Sequence, residues 1–201
     1  MSTDRLFNVP NVLTISRIPL TVVLCLFIQL RWWPAALVTF IVASLTDWID
    51  GWWARKFNQM SAFGRVFDPL TDKILLGSAF IFLILVEPAA MQPWMAAVVI
   101  GRELLITGVR GYVESLGKKF GADWFGKLKT ILQCVWLLAV LVYLTIREQA
   151  WASDLVGPVE RVHYGLLYAM IAATVLSGLQ YCWKAYKLMS DGPAGRANGH
   201  A

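Results

Sequence analysis

Six stretches of this chain are apolar and about as long as a bilayer is thick, and that repetition limits the fold more than any other feature. They cover roughly residues 12–30, 35–56, 66–87, 93–115, 124–147 and 161–187. A helix needs about 20 mostly apolar residues to cross the hydrocarbon core. Composition agrees: 58% of the 201 residues are hydrophobic and only 15% are charged, against about 25% charged in soluble domains. The expected fold is all-α, a six-transmembrane-helix bundle forming one membrane domain over residues 1–190. Residues 191–201, with "GPAGRANGH", read as a disordered tail.

The breaks carry turn punctuation. "RWWP" (31–34), "EPAAMQP" (87–93), "LGKKFGAD" (116–123) and "ASDLVGPVE" (152–160) concentrate Pro and Gly, whereas 57–65 is polar and basic. Arg17 interrupts the first apolar run and no small-residue cleavage site follows, so this run is expected to remain as a helix. With the N-terminus placed in the cytoplasm, fifteen Lys and Arg fall on that side and three (Arg31, Arg147, Arg161) on the other. This asymmetry orients an even number of spans with both termini cytoplasmic. Trp32, Trp33, Trp94, Trp124, Trp151 and Trp183 lie near segment ends, as interfacial anchors do. Cys25, Cys134 and Cys182 are too irregularly spaced for a disulfide framework or a zinc site and read as small buried hydrophobes. His163 and His200 stand in no catalytic pattern, and no nucleic-acid partner is expected.

Against that background, "SLTDWIDGWWARKFNQMSAFGRVFDPLTDKI" (44–74) is anomalous, with four aspartates within 26 residues. Ionisable groups in membrane segments are costly and usually functional. Asp47 and Asp50 share a helix face at i, i+3, and Asp68 and Asp72 share one at i, i+4. Pro69 disfavours helical backbone at Asp68, which is therefore expected as a cap. Facing each other, these carboxylates could not all stay ionised without a cation, a part that arginines could also fill. An oxygen-only set suits Mg2+, Mn2+ or Ca2+, and four carboxylates suffice for two ions about 3.5–4 Å apart, the arrangement that clamps a phosphoryl group. Gly51 and Ala54 continue the first stripe; they fit close helix packing or the approach of a flat polar group such as a nucleotide equally well.

Asp47, Asp50, Gly51, Ala54, Arg55, Gly64, Asp68 and Asp72 stand as D-x2-D-G-x2-A-R-x8-G-x3-D-x3-D. This resembles, position for position, the signature of the CDP-alcohol phosphotransferases. The resemblance implies a six-helix membrane enzyme, usually a homodimer, that transfers a phosphatidyl-type group from a CDP-linked donor to an alcohol and releases CMP. It implies two divalent cations, Mg2+ or Mn2+, on Asp47, Asp50, Asp68 and Asp72, with Asp72 also the general base. Asp50, Gly51, Ala54 and Arg55 would line the CDP pocket, with Gly64 allowing close approach.

The other polar residues within spans concern the acceptor. Asn11, Thr14 and Arg17 follow one another at i+3 steps. Arg102, Glu103 and Arg110 interrupt the fourth segment, and Lys127, Lys129, Thr130 and Gln133 open the fifth. Arg and Lys at the aspartate face point to an anionic second ligand, such as a phosphate-bearing acceptor. Glu103, adjacent to Arg102, is not expected to pair with it along the helix. "NVPNVLTISR", "GRE" and "GKLKT" are similar to segments of the bacterial phosphatidylglycerophosphate-synthase branch of the family. That resemblance implies CDP-diacylglycerol as donor, glycerol 3-phosphate as acceptor, and a bacterial inner-membrane enzyme with its site facing the cytoplasm. Arg102, Arg110, Lys127 and Lys129 are then the candidates for the acceptor phosphate, with Asn11, Thr14 and Arg17 as further candidates. Sister activities on inositol phosphate, serine or phosphatidylglycerol would share the donor site. Membrane prenyl transfer lacks the G-x2-A-R-x8-G spacing, and a cation-coupled transporter would place its carboxylates at mid-membrane.

Overall fold

The computed structural model describes residues 9–56, 62–115 and 124–190; for residues 9–13, 50–52, 54–55, 62–66, 68, 114, 125 and 189–190 it describes the backbone only. Six α-helices follow in order: α1 (Val9–Gln29), α2 (Trp33–Lys56), α3 (Ala62–Val86), α4 (Pro93–Ser115), α5 (Trp124–Arg147) and α6 (Ser153–Ser190). A single 3-10 turn, Ala150–Ala152, precedes α6, and no strand occurs among the described residues. The all-α expectation and the six segments are borne out as helices. The expected tail lies outside the described residues.

Two local expectations are corrected. The 152–160 break is helix from Ser153 onward, with Pro158 inside α6. Pro158 is the sixth residue of α6, just past the four N–H groups that lack helical partners, so it costs one backbone hydrogen bond that this 38-residue helix absorbs. Likewise α3 runs unbroken through Pro69, so Asp68 lies within the helix and not at its cap. By contrast, α1 ends in a definite stop. Arg31 has φ 56°, its N–H donates to the Ile28 carbonyl at 3.0 Å, and the Trp32 N–H reaches the Phe27 carbonyl at 2.9 Å. This is a Schellman ending with arginine where glycine is usual, closed by the edge-on Phe27–Trp32 contact at 5.3 Å. The Arg31 guanidinium donates to the Val86 carbonyl at 2.9 Å, tying this turn to the end of α3.

The helices close into a ring. α1 packs against both α2 and α3, α2 against α5, α5 against α6, α6 against α4, and α4 against α3. Among the described residues α2 and α3 make no direct packing contact, and the α3–α4 seam is the sparsest side of the ring. The core joins Leu24, Phe40, Phe80, Trp136, Leu141 and Met170 across the bundle. Phe80 and Trp136 meet edge-on at 5.3 Å. The end opposite the aspartates is clamped by Arg147 on Glu87 (3.1 and 2.9 Å) and by the Trp33 indole N–H on Glu148 (2.9 Å). Trp33 is therefore a buried core residue and not an interfacial anchor, whereas Trp32, Trp94, Trp124, Trp151 and Trp183 are exposed.

Many large apolar side chains cover the outside, among them Leu30, Leu85, Leu104 and Leu179. Hydrocarbon as solvent accounts for such a surface. It also accounts for Cys182, which faces outward where burial was expected; Cys25 is buried and Cys134 partly so. Among the described residues three stretches, Pro69–Val86, Gly126–Arg147 and Ala150–Leu188, are long and apolar enough to cross a membrane, with shorter apolar stretches at Thr14–Gln29 and Trp33–Ile49. The protein is accordingly read as an integral membrane protein.

Candidate active site

α1 brings a buried arginine to the aspartates of its two neighbours. Arg17 sits eight residues into α1, two steps of the i+3 stripe from Asn11, and faces both α2 and α3. Its NH1 donates to Asp47 Oδ1 at 2.6 Å and also to Asp72 Oδ1. Two oxygens on one nitrogen lie within about 6 Å of each other, twice a hydrogen-bond length. The arginine side chain is 1% exposed while those of Asp47 and Asp72 are 46% and 40% exposed. The carboxylates thus rest on a buried cation and open outward.

This arrangement brings Asp47 and Asp72 together as the spacing required. Asp50, Gly51, Ala54, Arg55, Gly64 and Asp68 lie on the same two helices, with side chains outside the described residues; the same holds for Asn11 on α1. Among the described residues no cluster of three or more His, Cys, Asp or Glu is close enough to hold a metal. What the structure does offer is a pair of half-exposed carboxylates supplying only oxygen. Hard divalent cations prefer that donor set, so the residues fit Mg2+ or Mn2+.

Asp72 also lines a cavity of about 470 Å3 at the α3–α4 seam, closed on its inner side by α5. One end carries the polar groups of Asp72, Lys73, Glu103, Thr107, Lys129 and Gln133; the other is apolar, with Phe80, Val99 and Ile100. Glu103 organises the polar end. Its Oε1 takes the Lys129 ammonium from α5, accepts from Gln133 at 3.4 Å, and lies 3.6 Å from Arg102 NH1. Sequence adjacency therefore does not keep Arg102 and Glu103 apart, because both long side chains reach around α4 towards α5 and α6. Lys73 donates to Thr107 Oγ1 at 2.5 Å across the same seam.

The four acceptor candidates separate. Lys129 is buried and lines the cavity, whereas Lys127 is exposed. Arg102 turns onto α6, its guanidinium carbon 5.3 Å from the centre of the Tyr181 ring and its stem close enough to Gly178 that a Cβ there would sit 3.3 Å from Cγ. Gly126 completes this seat, since a Cβ on it would come within 2.8 Å of the Tyr181 hydroxyl. Arg110 is partly buried further along α4. Thr14 is buried on α1 beside Arg17. Sequence reasoning passed over Lys73, which reads as an ordinary cytoplasmic charge although it directly follows Asp72. It also missed Glu103 as the residue on which Lys129 and Arg102 converge.

Comparison with known proteins follows the same lines. The profile described as CDP-alcohol phosphatidyltransferase matches residues 7–183. The chain is 36% identical over 183 residues to the Escherichia coli (strain K12) protein named CDP-diacylglycerol--glycerol-3-phosphate 3-phosphatidyltransferase, covering 87% of this chain and 93% of that one. The protein of that name from Shigella flexneri serotype 5b has the same identity and coverage. The one from Bacillus subtilis (strain 168) is 32% identical over 204 residues, covering 90% of this chain and 98% of that one.

Proposed function

This chain belongs to the CDP-alcohol phosphatidyltransferase family, and from that premise we propose that it transfers the phosphatidyl group of CDP-diacylglycerol to glycerol 3-phosphate, giving phosphatidylglycerophosphate and CMP. That it is an enzyme of this family follows from the match over most of its length. The acceptor rests on the names of the relatives and on the observation that carries the reading: Asp72 and Lys129 line one cavity, a carboxylate from α3 and a buried cation from α5.

In this mechanism the acceptor hydroxyl attacks the phosphatidyl phosphorus. A new P–O bond forms as the bond to the bridging pyrophosphate oxygen breaks, and that oxygen leaves with CMP. Asp72 takes the hydroxyl proton, which requires only a carboxylate within hydrogen-bond reach of the incoming oxygen. Lys129, Arg102 and Arg110 are assigned to the acceptor phosphate, Lys129 within the cavity, with the exposed Lys127 at most a peripheral contact. Asp50, Gly51, Ala54, Arg55 and Gly64 are assigned to the CDP moiety. Asp47, Asp50, Asp68 and Asp72 would hold two divalent cations, Mg2+ or Mn2+, which when bound offset the pyrophosphate charge and the charge growing on CMP. The bundle is assigned six spans with both termini and the site cytoplasmic, in a bacterial inner membrane and as a homodimer, the charge asymmetry supporting the orientation. Residues 1–190 form the single catalytic domain and 191–201 a tail.

The test is CMP release by purified protein in detergent. It uses CDP-diacylglycerol, Mg2+ or Mn2+, and one acceptor at a time: glycerol 3-phosphate, serine, inositol phosphate or phosphatidylglycerol. Stimulation by glycerol 3-phosphate alone, with a lipid phosphate as product, is expected. Stimulation by another alcohol would retain the aspartate site and discard the acceptor assignment; no release with any of them would discard both.

A further inference from the structure

We propose that Arg17 is the positioning residue that sets the separation of the two carboxylate-bearing helices, and so fixes the geometry into which divalent cations bind. The inference rests on the metal reading of the aspartates given above. Its first observation is topological: α2 carries Asp47 and α3 carries Asp72, yet among the described residues these helices pack on α1 and not on each other. Among the described residues, direct α2–α3 packing therefore does not set the Asp47–Asp72 distance. The second is chemical: a single nitrogen of Arg17 donates to Oδ1 of both carboxylates. Two like charges left facing each other repel, so without this bridge the two helix faces would move apart or their side chains turn outward.

The direction of approach decides what Arg17 does. Its guanidinium is buried beneath carboxylates that are 46% and 40% exposed, so it grips them from the core side and leaves their outward faces to solvent. A group so placed orients ligands without occupying the mouth of the site, as hydrogen-bond partners of metal ligands commonly do. Its positive charge works the other way and by itself disfavours an arriving cation. If holding the ligands outweighs that repulsion, removing Arg17 must weaken metal binding, and this sign separates the positioning role from that of a competing counter-ion.

The experiment measures Mn2+ binding to the full-length protein in detergent by electron paramagnetic resonance of free Mn2+, with no substrate present. Arg17→Met, which keeps an unbranched apolar stem and removes the charge and the donors, is expected to bind Mn2+ about 10- to 100-fold more weakly, the range typical of lost ligand-orienting partners. Arg17→Lys, which keeps the charge with a shorter reach, is expected to fall between it and the wild type. Asp47→Asn is the control and is expected to weaken binding severely. Wild-type or tighter affinity in Arg17→Met, or in Arg17→Lys should the Met variant not elute as a single species, overturns the positioning role. Undiminished binding in Asp47→Asn instead overturns the metal reading on which it rests.

Discussion

Glu103 offers the sharpest test of how the polar end of the cavity is held together. Its side chain is 15% exposed and that of its partner Lys129 is 6% exposed, so the pair lies largely out of water between α4 and α5. Glu103→Ala leaves Lys129 without a carboxylate and removes the nearest anion from Arg102. Breaking a buried pair from one side costs about 3–5 kcal/mol, and an unpaired charge within a membrane helix about 2.5–3.5 kcal/mol on insertion scales. The two figures agree on about 3 kcal/mol or more. For a chain of this size each kcal/mol moves Tm by about 2–4 °C, so a fall of roughly 6–20 °C is expected in detergent at a fixed scan rate. The reasoning also predicts a rescue. Glu103→Ala combined with Lys129→Met replaces the ion pair by apolar groups and should recover most of that loss, because removing both charges is often nearly neutral. Catalysis should not recover with stability, since Lys129 is assigned to the acceptor. A single variant within about 2 °C of wild type, or a double variant no more stable than the single one, would refute the idea that Glu103 acts by neutralising Lys129.

Three further outcomes are expected. Lys129→Ala should raise the KM for glycerol 3-phosphate about tenfold or more, the size of a lost charge-assisted hydrogen bond, while Lys127→Ala, at an exposed position, should stay within about threefold; equal effects in parallel initial-rate titrations would move the acceptor out of the cavity. Arg110→Ala should raise the KM for the acceptor far more than that for CDP-diacylglycerol, and equal effects on both would assign Arg110 to the donor or to the fold. At the opposite end, just beyond α3, the Arg147 hydrogen bond to Glu87 holds this carboxyl below its ordinary 4.5, with the charges of Arg147 and Arg31 adding to the effect and partial burial opposing it. A depressed carboxylate stabilises the folded state fully above its unfolded pKa and loses that contribution as pH falls through the folded one. Melting temperatures recorded from pH 6 down to pH 3 should therefore fall more steeply below about 4.5 for the wild type than for Glu87→Gln, and parallel curves would remove Glu87 from the acid response.

How far the sequence carries differs between helices and site for a physical reason. Apolar length reports on the solvent, so six segments were legible and the helices fall close to them. Their ends were less so, because Pro158 and Pro69 act as stops only where a lost hydrogen bond and a clash outweigh the surrounding helix, and both lie inside helices. Periodicity placed Asp47 with Asp50 and Asp68 with Asp72 on shared faces, since spacing along one helix fixes which side chains share a side. It could not say which residue on another helix would meet them. Arg17 was visible as one of a polar stripe, but its bridge depends on α1 being the common neighbour of α2 and α3, a fact of ring order that no local pattern encodes. The same limit hid Lys73 and Glu103: a lysine after an aspartate and a glutamate after an arginine look like local charge until α3, α4 and α5 are set around one cavity. Lys127 and Lys129 make the point in reverse. Two residues apart on one helix they cannot share a face, so only one can turn towards Glu103, and the neighbour that makes burial tolerable decides which.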